Sequence, residues 1–344
     1  MARKKILILG STGSIGIQAL EVIRLQPDDF EIVGLSSYRN EKLLRAQAAE
    51  FRVKETILAE GTNLASFIAG IKADLALVAI SGSAGLIPTL AAIESGKNIA
   101  LANKESLVMK GREIMTAAKL HKTQLIPVDS EHSALFQLLQ KVPKKEVLKI
   151  ILTCSGGPFW RKTKEELEKI TVKDALKHPT WKMGKEITIN SATLVNKGFE
   201  IIEAHHLFGF DYEQIEVLIH PQSLVHAMVQ LKDGNTLMHY SPPNMQIPIS
   251  YALNYPNRHK FLLENVGKRS PGPFLPPTAL DFFPPQKTLL KGIELGYQIG
   301  RLGGDNPEKF VRTNEKAVRK FLEGKISFLE IYTPSFFTPR NNEA

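Results

Sequence analysis

The sequence predicts an α/β protein whose first part is a doubly wound, mostly parallel sheet. Three observations carry that expectation. Six short apolar runs alternate with segments of helical periodicity up to about Lys149, a glycine-rich turn follows the first run directly, and prolines crowd between Tyr255 and Pro285. The runs are Ile6 to Leu9, Glu31 to Leu35, Thr56 to Leu58, Leu75 to Ile80, Asn98 to Leu101 and Leu125 to Val128. Strand–helix alternation with right-handed crossovers gives a parallel sheet covered by helices on both faces, so residues 1–149 form the first expected domain. A strand at Lys149 to Thr153, a polar stretch from Gly156 to Glu186 and a helix at about Ser191 to Phe208 come next. Alternating runs at Ile215 to Ile219, Leu224 to Leu231 and Thr236 to Tyr240 read as strands, with Asp233-Gly234-Asn235 as a hairpin turn. Residues 150–254 therefore read as an α+β second domain. The prolines of 255–285 fix φ and remove donors, which makes this an extended linker. Lys287 to Leu302, Pro307 to Glu323 and Ile326 to Ile331 have helical spacing, so 286–344 reads as a small helical domain.

The 344 residues are 43% hydrophobic and 23% charged, enough apolar material for two or three cores. Lys and Arg number 44 against 35 Asp and Glu, a net charge of +9 that suits an anionic partner. Arg3-Lys4-Lys5 and Lys144-Lys145 are too short for a nucleic-acid tail, so no nucleic-acid partner is expected. The amino terminus has only a short apolar run before Gly10, and no stretch approaches the roughly 20 apolar residues of a membrane helix. A single cysteine, Cys154, fits a reducing compartment, and the expected location is the cytoplasm.

After the first strand comes Gly10-Ser-Thr12-Gly13-Ser14-Ile15-Gly16 and then an amphipathic run. A glycine turn between strand and helix lets backbone approach a pyrophosphate, and the helix N–H groups and dipole favour its charge. In this position the motif points to a dinucleotide and to a Rossmann-like domain. At the end of the second strand, where NAD enzymes place an acid for the ribose 2′-hydroxyl, the chain has Ser36-Ser37-Tyr38-Arg39-Asn40. Hydroxyls and Arg39 favour a 2′-phosphate and hence NADP, although Arg39 also reads as an ordinary exposed loop charge.

Pro127-Val128-Asp129-Ser130-Glu131-His132 follows the last strand of the block, at the carboxyl ends where α/β sheets place ligands. In an extended segment Asp129 and Glu131 share a side, and two converging carboxylates call for a cation or a proton. Oxygen-only ligation favours Mg²⁺ or Mn²⁺ over zinc; taken alone, such a pair is more often a solvated turn or a helix cap. If Ser191 begins the next helix, Asn196, Glu200 and Glu203 fall on one face with Lys197 beside them. A surface helix can show the same residues. Ser155-Gly156-Gly157 after a strand reads as an oxyanion cradle or as an ordinary turn. His178-Pro-Thr-Trp181-Lys-Met183-Gly184 reads as a lid with an aromatic ring, or as a local hydrophobic anchor.

Assembled, the chain resembles the 1-deoxy-D-xylulose 5-phosphate reductoisomerase family over residues 4–254 and more loosely to about 331. The resemblance rests on LGSTGSIG at Leu9 to Gly16, LANKESLV at Leu101 to Val108, PVDSEHSA at Pro127 to Ala134, SGGPF at Ser155 to Phe159, HPTWKMG at His178 to Gly184 and NSATLVNKGFE at Asn190 to Glu200. It implies that Asp129, Glu131 and Glu200 ligate the metal, and that Ser155, His178, Ser191, Asn196 and Lys197 surround the substrate and its phosphate. It further implies substrate contacts from Lys104 and Ser130, and NADPH contacts from Thr12, Gly13, Ser14, Ile15, Arg39, Asn40, Asn103, Glu105 and Gly184, with Tyr38 beside them. Trp181 and Met183 match the family's flexible lid. The implied reaction is the isomerisation of deoxyxylulose phosphate and its reduction by hydride to 2-C-methyl-D-erythritol 4-phosphate, on the non-mevalonate isoprenoid route. Lys104 is then expected to hydrogen-bond or relay a proton at the reacting centre, and Glu131 to assist proton removal. The implied assembly is a homodimer through the second domain. Three departures stand out: the chain stops at Ala344, Asn244 and Gln246 occupy positions where relatives often carry Asp and Arg, and Tyr38 replaces a small residue.

Two competing readings remain at this level. Another NADP oxidoreductase of similar layout, such as a semialdehyde or homoserine dehydrogenase, would not need three metal carboxylates. A non-catalytic NADPH-sensing regulator would bind the nucleotide without turnover.

Overall fold

The computed structural model describes residues 2–177, 184–259 and 279–332. Two compact units emerge, one from Met1–Ser106, Arg112–Gln137 and Asn244–Ala279, the other from Leu107–Gly111, Leu138–Pro243 and Leu280–Ala344.

The first unit is built on six parallel strands: β1 (Lys4–Leu9), β2 (Phe30–Ser37), β3 (Thr56–Leu58), β4 (Leu75–Val78), β5 (Asn98–Leu101) and β6 (Leu125–Pro127). They run in the order β3-β2-β1-β4-β5-β6, the doubly wound arrangement that places ligands where the strand order reverses. β1 pairs in parallel with β2 on one side and β4 on the other. Residues 6–9 and 75–78 are all wholly buried, as expected of central strands covered on both faces. The crossovers are α1 (Ser14–Arg24), α2 (Glu41–Phe51), α3 (Leu64–Gly70), α4 (Leu86–Glu94) and α5 (Lys104–Leu120), and α6 (Ser130–Leu139) follows β6.

The second unit opens with β7 (Val147–Cys154). The polar stretch then holds two one-turn helices, α7 (Lys164–Leu167) and α8 (Val172–Ala175), each closed by a capping box, Thr163 with Glu166 and Thr171 with Asp174. The Thr-x-x-acid spacing was the signal for both. The helix expected to start at Ser191 is instead two, α9 (Lys185–Ala192) and α10 (Val195–Phe208), with Leu194 at φ +57° between them. Ser191 therefore lies in the last turn of α9 and does not begin the helix that carries Glu200. β8 (Ile215–Ile219), β9 (Val225–Leu231) and β10 (Thr236–Tyr240) complete a sheet in the order β10-β9-β7-β8, with β7 parallel to β8 and antiparallel to β9. The expected hairpin turn is present, Gly234 at φ +92° and the Asn235 N–H donating to Asp233 Oδ1 at 3.0 Å.

Next along the chain, α11 (Gln246–Asn254) counts with the first unit, which differs from the 150–254 domain expected from sequence. Its Ile249, Ala252 and Leu253 are wholly buried in one core with Ile6, Ile8 and Leu20. Burying a side chain of that size contributes about 1.5–3 kcal/mol, so the apolar stripe decides where the helix belongs. Gln246 Nε2 donates to Glu21 Oε2 on α1 at 2.7 Å. Most of the proline-rich segment, 260–278, lies outside the described residues; Phe283 pairs with Ile219 beside β8.

The helical end of the chain, α12 (Leu290–Leu302), α13 (Asn306–Leu322) and a 3-10 turn at Leu329–Tyr332, belongs to the second unit. α10 and α12 approach backbone to backbone, since a Cβ added at Gly296 would lie 2.4 Å from the Gly198 Cα. Asn314 Nδ2 donates to Asn190 Oδ1 at 2.8 Å, and the Tyr332 hydroxyl donates to the Thr193 carbonyl at 2.8 Å. These bonds fix the α9–α10 elbow. Among the described residues no helix is long and apolar enough to cross a membrane.

Candidate active site

In the first unit, β1 ends at Gly10 in a left-handed conformation, φ +88°. A Cβ there would lie 2.6 Å from the Ala79 carbonyl oxygen, and one at Gly16 would lie 2.3 Å from the Gly10 carbonyl oxygen. Only glycine permits this turn. It delivers the chain to α1, whose N-cap is Gly13 and whose first turn carries no acidic residue, leaving the leading N–H groups and the positive helix end for an anion. The turn is anchored to β2: the Ser11 N–H donates to the Ser36 carbonyl at 2.8 Å, Ser11 Oγ to Gln47 Oε1 at 2.8 Å, and the Thr12 and Ser37 hydroxyls lie 2.7 Å apart.

Beyond β2, Tyr38 and Arg39 are exposed and Asn40 caps α2, its Oδ1 accepting from the Leu43 N–H at 3.1 Å. The Arg39 guanidinium sits 4.8 Å from the Tyr38 ring centre and pairs with Glu60, and that hydrogen bond holds its proton more firmly than usual. Asn103 has a scaffolding task. Its Oδ1 accepts from the Ser106 N–H at 3.1 Å while Nδ2 donates to the Ile80 and Gly82 carbonyls, both at 2.8 Å, and to Glu105 Oε2 at 3.0 Å.

At the carboxyl end of β6 the expectation of an extended Asp129–Glu131 segment needs correction. The Asp129 carbonyl accepts the first helical bond, from the Ser133 N–H at 2.8 Å, so Asp129 immediately precedes α6 and Glu131 lies in its first turn. The acids still meet, with carboxylate oxygens within 4.8 Å of each other, because helix initiation folds the chain back on itself. Ser130 bonds to Glu131 through its hydroxyl and to Asp129 Oδ1 through its N–H at 3.0 Å. The buried Lys104 ammonium pairs with Asp129, and His132 Nδ1 lies 3.7 Å from Asp129 Oδ2. Burial pushes the Asp129 carboxyl up, but Lys104 and His132 outweigh it and hold the group ionised far below the usual range. His132 is a functional residue that its motif does not single out; its spacing of three from Asp129 is the signal the sequence carries for it.

In the second unit, β7 runs into Ser155-Gly156-Gly157, with both glycines left-handed at φ +81° and +67°. The Gly157 N–H donates to Ser155 Oγ at 3.1 Å, and Trp160 covers Gly156, whose added Cβ would lie 2.7 Å from the Trp160 Cβ. On α10, Asn196, Lys197, Glu200 and Glu203 gather as the spacing of three and four required. Glu200 accepts from Asn196 Nδ2 and from Lys197 Nζ, and Lys197 also donates to the Thr153 carbonyl. Lys197 is 2% exposed and Glu200 1%. Asn196 Oδ1 is buried without a hydrogen-bond partner, an acceptor still available to a ligand. Gly184 is the N-cap of α9 at φ −62°, with nothing within 4 Å of an added Cβ. His178, Trp181 and Met183 lie outside the described residues.

Two features of the first unit fit the groups that their residues suggest. The glycine turn has the clearance and open N–H groups of a pyrophosphate cradle, and the ionised Asp129 with Glu131 offers oxygen ligands to a hard divalent cation.

Known proteins match most of the chain. Family models described as 1-deoxy-D-xylulose 5-phosphate reductoisomerase match residues 6–69 and 52–111, and models of that enzyme's C-terminal domains match 125–208 and 240–335. The chain is 46% identical over 347 residues to 1-deoxy-D-xylulose 5-phosphate reductoisomerase of Caldanaerobacter subterraneus subsp. tengcongensis, covering 95% of this chain and 90% of that protein. It is 44% identical over 351 residues to the Clostridium botulinum enzyme, again covering 95% and 90%. Among solved structures, the Zymomonas mobilis enzyme in complex with NADPH superposes with TM-score 0.84 at 36% identity, covering 96% of this chain and 90% of that one. A reductoisomerase in complex with NADPH, fosmidomycin and magnesium gives TM-score 0.88 at 35% identity, covering 96% and 87%. The chain belongs to the 1-deoxy-D-xylulose 5-phosphate reductoisomerase family.

Proposed function

We propose that this chain is an NADP-dependent oxidoreductase that rearranges 1-deoxy-D-xylulose 5-phosphate and reduces it to 2-C-methyl-D-erythritol 4-phosphate, with NADPH and Mg²⁺ or Mn²⁺ as cofactors, in non-mevalonate isoprenoid biosynthesis. The observation that carries it is the convergence of the Asp129 and Glu131 carboxylates at the head of α6, with Asp129 held ionised by Lys104 and His132 against its burial, in a unit that also has a dinucleotide turn and in a chain of this family. Family membership disfavours the dehydrogenase and regulator readings.

Thr12, Gly13, Ser14 and Ile15 would hold the pyrophosphate, and Tyr38, Arg39 and Asn40 the adenosine end. Asn103 and Glu105 would border the nucleotide from the start of α5, and Gly184 is a further candidate NADPH contact. Asp129, Glu131 and Glu200 would hold the metal. Ser155, Ser191, Asn196 and Lys197, with His178, would hold the substrate and its phosphate, and Trp181 and Met183 would close over it.

Bound NADPH supplies the hydride, and the bound cation supplies Lewis-acid stabilisation of charge developing on the substrate's ketone and hydroxyl oxygens. Lys104 Nζ, already placed against Asp129, is the group that donates a hydrogen bond or proton there. Glu131, half-buried and bonded to the Ser130 hydroxyl, takes a substrate hydroxyl proton on its carboxylate. Asn196 orients Glu200, and the Ser155-Gly-Gly turn receives the phosphate through N–H groups and a hydroxyl. Gripping the phosphate far from the reacting carbons provides binding energy for closure and alignment.

The lone Cys154 supports a reducing, cytoplasmic setting. A homodimer through the second unit is supported by the edge strand β10, whose Leu237 and Met238 are exposed, since an uncovered apolar edge is a ready pairing surface. Light scattering of the purified chain reads the mass directly, and a monomer at working concentrations would refute the dimer.

The decisive assay follows NADPH oxidation with deoxyxylulose phosphate before and after exhaustive chelation, and again with Mg²⁺ or Mn²⁺ restored. Turnover should vanish on chelation and return with either ion. Undiminished turnover in chelator would refute the metal reading, and absence of turnover under all conditions would refute the activity.

A further inference from the structure

We infer that Glu60 tempers this chain's preference for a 2′-phosphorylated dinucleotide by competing with that phosphate for Arg39. The inference deepens the cofactor reading and rests on Arg39 as the 2′-phosphate contact.

The sheet order creates the competition. β3 lies beside β2, and the pairing continues past both strands: the Ala59 N–H donates to the Ser37 carbonyl at 2.8 Å and the Glu60 N–H to the Tyr38 carbonyl at 3.3 Å. Glu60 is thereby fixed alongside Tyr38 and Arg39, at the end of the sheet where the adenosine ribose must lie. Its Oε1 sits 2.6 Å from Arg39 Nε and 2.5 Å from Arg39 Nη2. That edge of the guanidinium is one that a phosphate's two oxygens grip side by side. Arg39 Nη2 also lies 3.5 Å from the Tyr38 hydroxyl, and the guanidinium carbon is 4.8 Å from the Tyr38 ring centre, two contacts that favour this placement of an otherwise exposed side chain.

A dianionic 2′-phosphate therefore meets an arginine already neutralised, and must displace the carboxylate or accept its repulsion. The side chains of Arg39 and Glu60 are 66% and 50% exposed, so no burial locks the pair and exchange is open. Exposed charge pairs change binding by roughly two- to five-fold, the scale on which Glu60 should act. A 2′-hydroxyl carries no charge, so NADH binding should not sense the carboxylate.

The test is calorimetric titration of 2′,5′-ADP, NADPH and NADH into wild type, Glu60→Gln, Arg39→Gln and the double variant. Glu60→Gln should tighten 2′,5′-ADP and NADPH by roughly two- to five-fold and leave NADH unchanged. Arg39→Gln should weaken both 2′-phosphorylated ligands by about tenfold or more, and in that background Glu60→Gln should have no further effect. If Glu60→Gln weakens NADPH or leaves it unchanged while Arg39→Gln still costs affinity, Glu60 is no competitor and the inference falls alone. If Arg39→Gln leaves NADPH binding intact, the contact itself is misassigned and both readings fall.

Discussion

Two ion pairs in this chain, Lys197–Glu200 and Arg39–Glu60, place the same chemistry in opposite surroundings. The first joins side chains 2% and 1% exposed on one face of α10, and the lysine also donates to the Thr153 carbonyl. The second joins side chains 66% and 50% exposed beyond the ends of two strands. A buried pair has already given up its water, so removing one partner strands a charge at a cost of about 3–5 kcal/mol. An exposed pair is screened and exchangeable. The two carboxylates therefore suit different tasks: the dry Glu200 is held rigidly, as its proposed part in binding a cation requires, and the wet Glu60 is free to exchange partners, as its proposed competition for Arg39 requires.

Glu200→Gln should break the contrast most severely. Turnover should fall about a thousandfold or more, the scale seen when one preorganised electrostatic contact is removed, with NADPH affinity near wild type by fluorescence titration. Thermal stability should also fall, because Lys197 keeps its charge without a counter-ion. Adding Lys197→Met should restore stability but not turnover; recovery of turnover would mean that Glu200 served only the fold.

Lys104→Met probes the middle case, a carboxylate near protein and solvent at once. The folded Asp129 carboxyl is depressed below its ordinary value, so its contribution to stability is complete above about pH 4 and is lost as pH falls through the folded value. Without the ammonium, burial pushes the carboxyl upward. The acid-unfolding midpoint of the chelated protein should then move to higher pH, and an unmoved midpoint would show that Lys104 does not hold Asp129 ionised.

A smaller effect is expected at Trp160→Ala, which uncovers Gly156. The Michaelis constant for substrate should rise by a few-fold, on the order of one lost packing contact, while kcat barely changes. An equal fall in kcat would mean that the turn also shapes the reacting centre. The smallest effect belongs to Glu60→Gln, whose melting temperature should match wild type; a clear drop would place the Arg39 pair among the fold's supports.

Much of this was legible in the sequence because it is local. The glycine turn, the strand alternation and the spacing of Asn196, Lys197, Glu200 and Glu203 are fixed within a few residues of one another, and periodicity reports them. The break at Leu194, where a leucine takes φ +57°, was not legible, since no Gly or Asn marks it and the distant Asn314 and Tyr332 hold it. The placement of α11 was missed because its apolar stripe does not name its partner. Glu60 stands 21 residues from Arg39, and only the neighbouring order of β2 and β3 brings them together. The expected extended geometry of Asp129 and Glu131 differs for another reason: the helix starts at Ser130, inside the segment read as extended.

Asp129, Glu131 and Glu200 are the proposed ligands of one divalent cation. Calorimetric titration of Mn²⁺ into the chelated wild-type chain and into Asp129→Asn, Glu131→Gln and Glu200→Gln tests this without turnover. One ion per chain is expected for wild type, with each single variant weakening it by about tenfold or more. Wild-type affinity in Glu200→Gln would contradict the shared site.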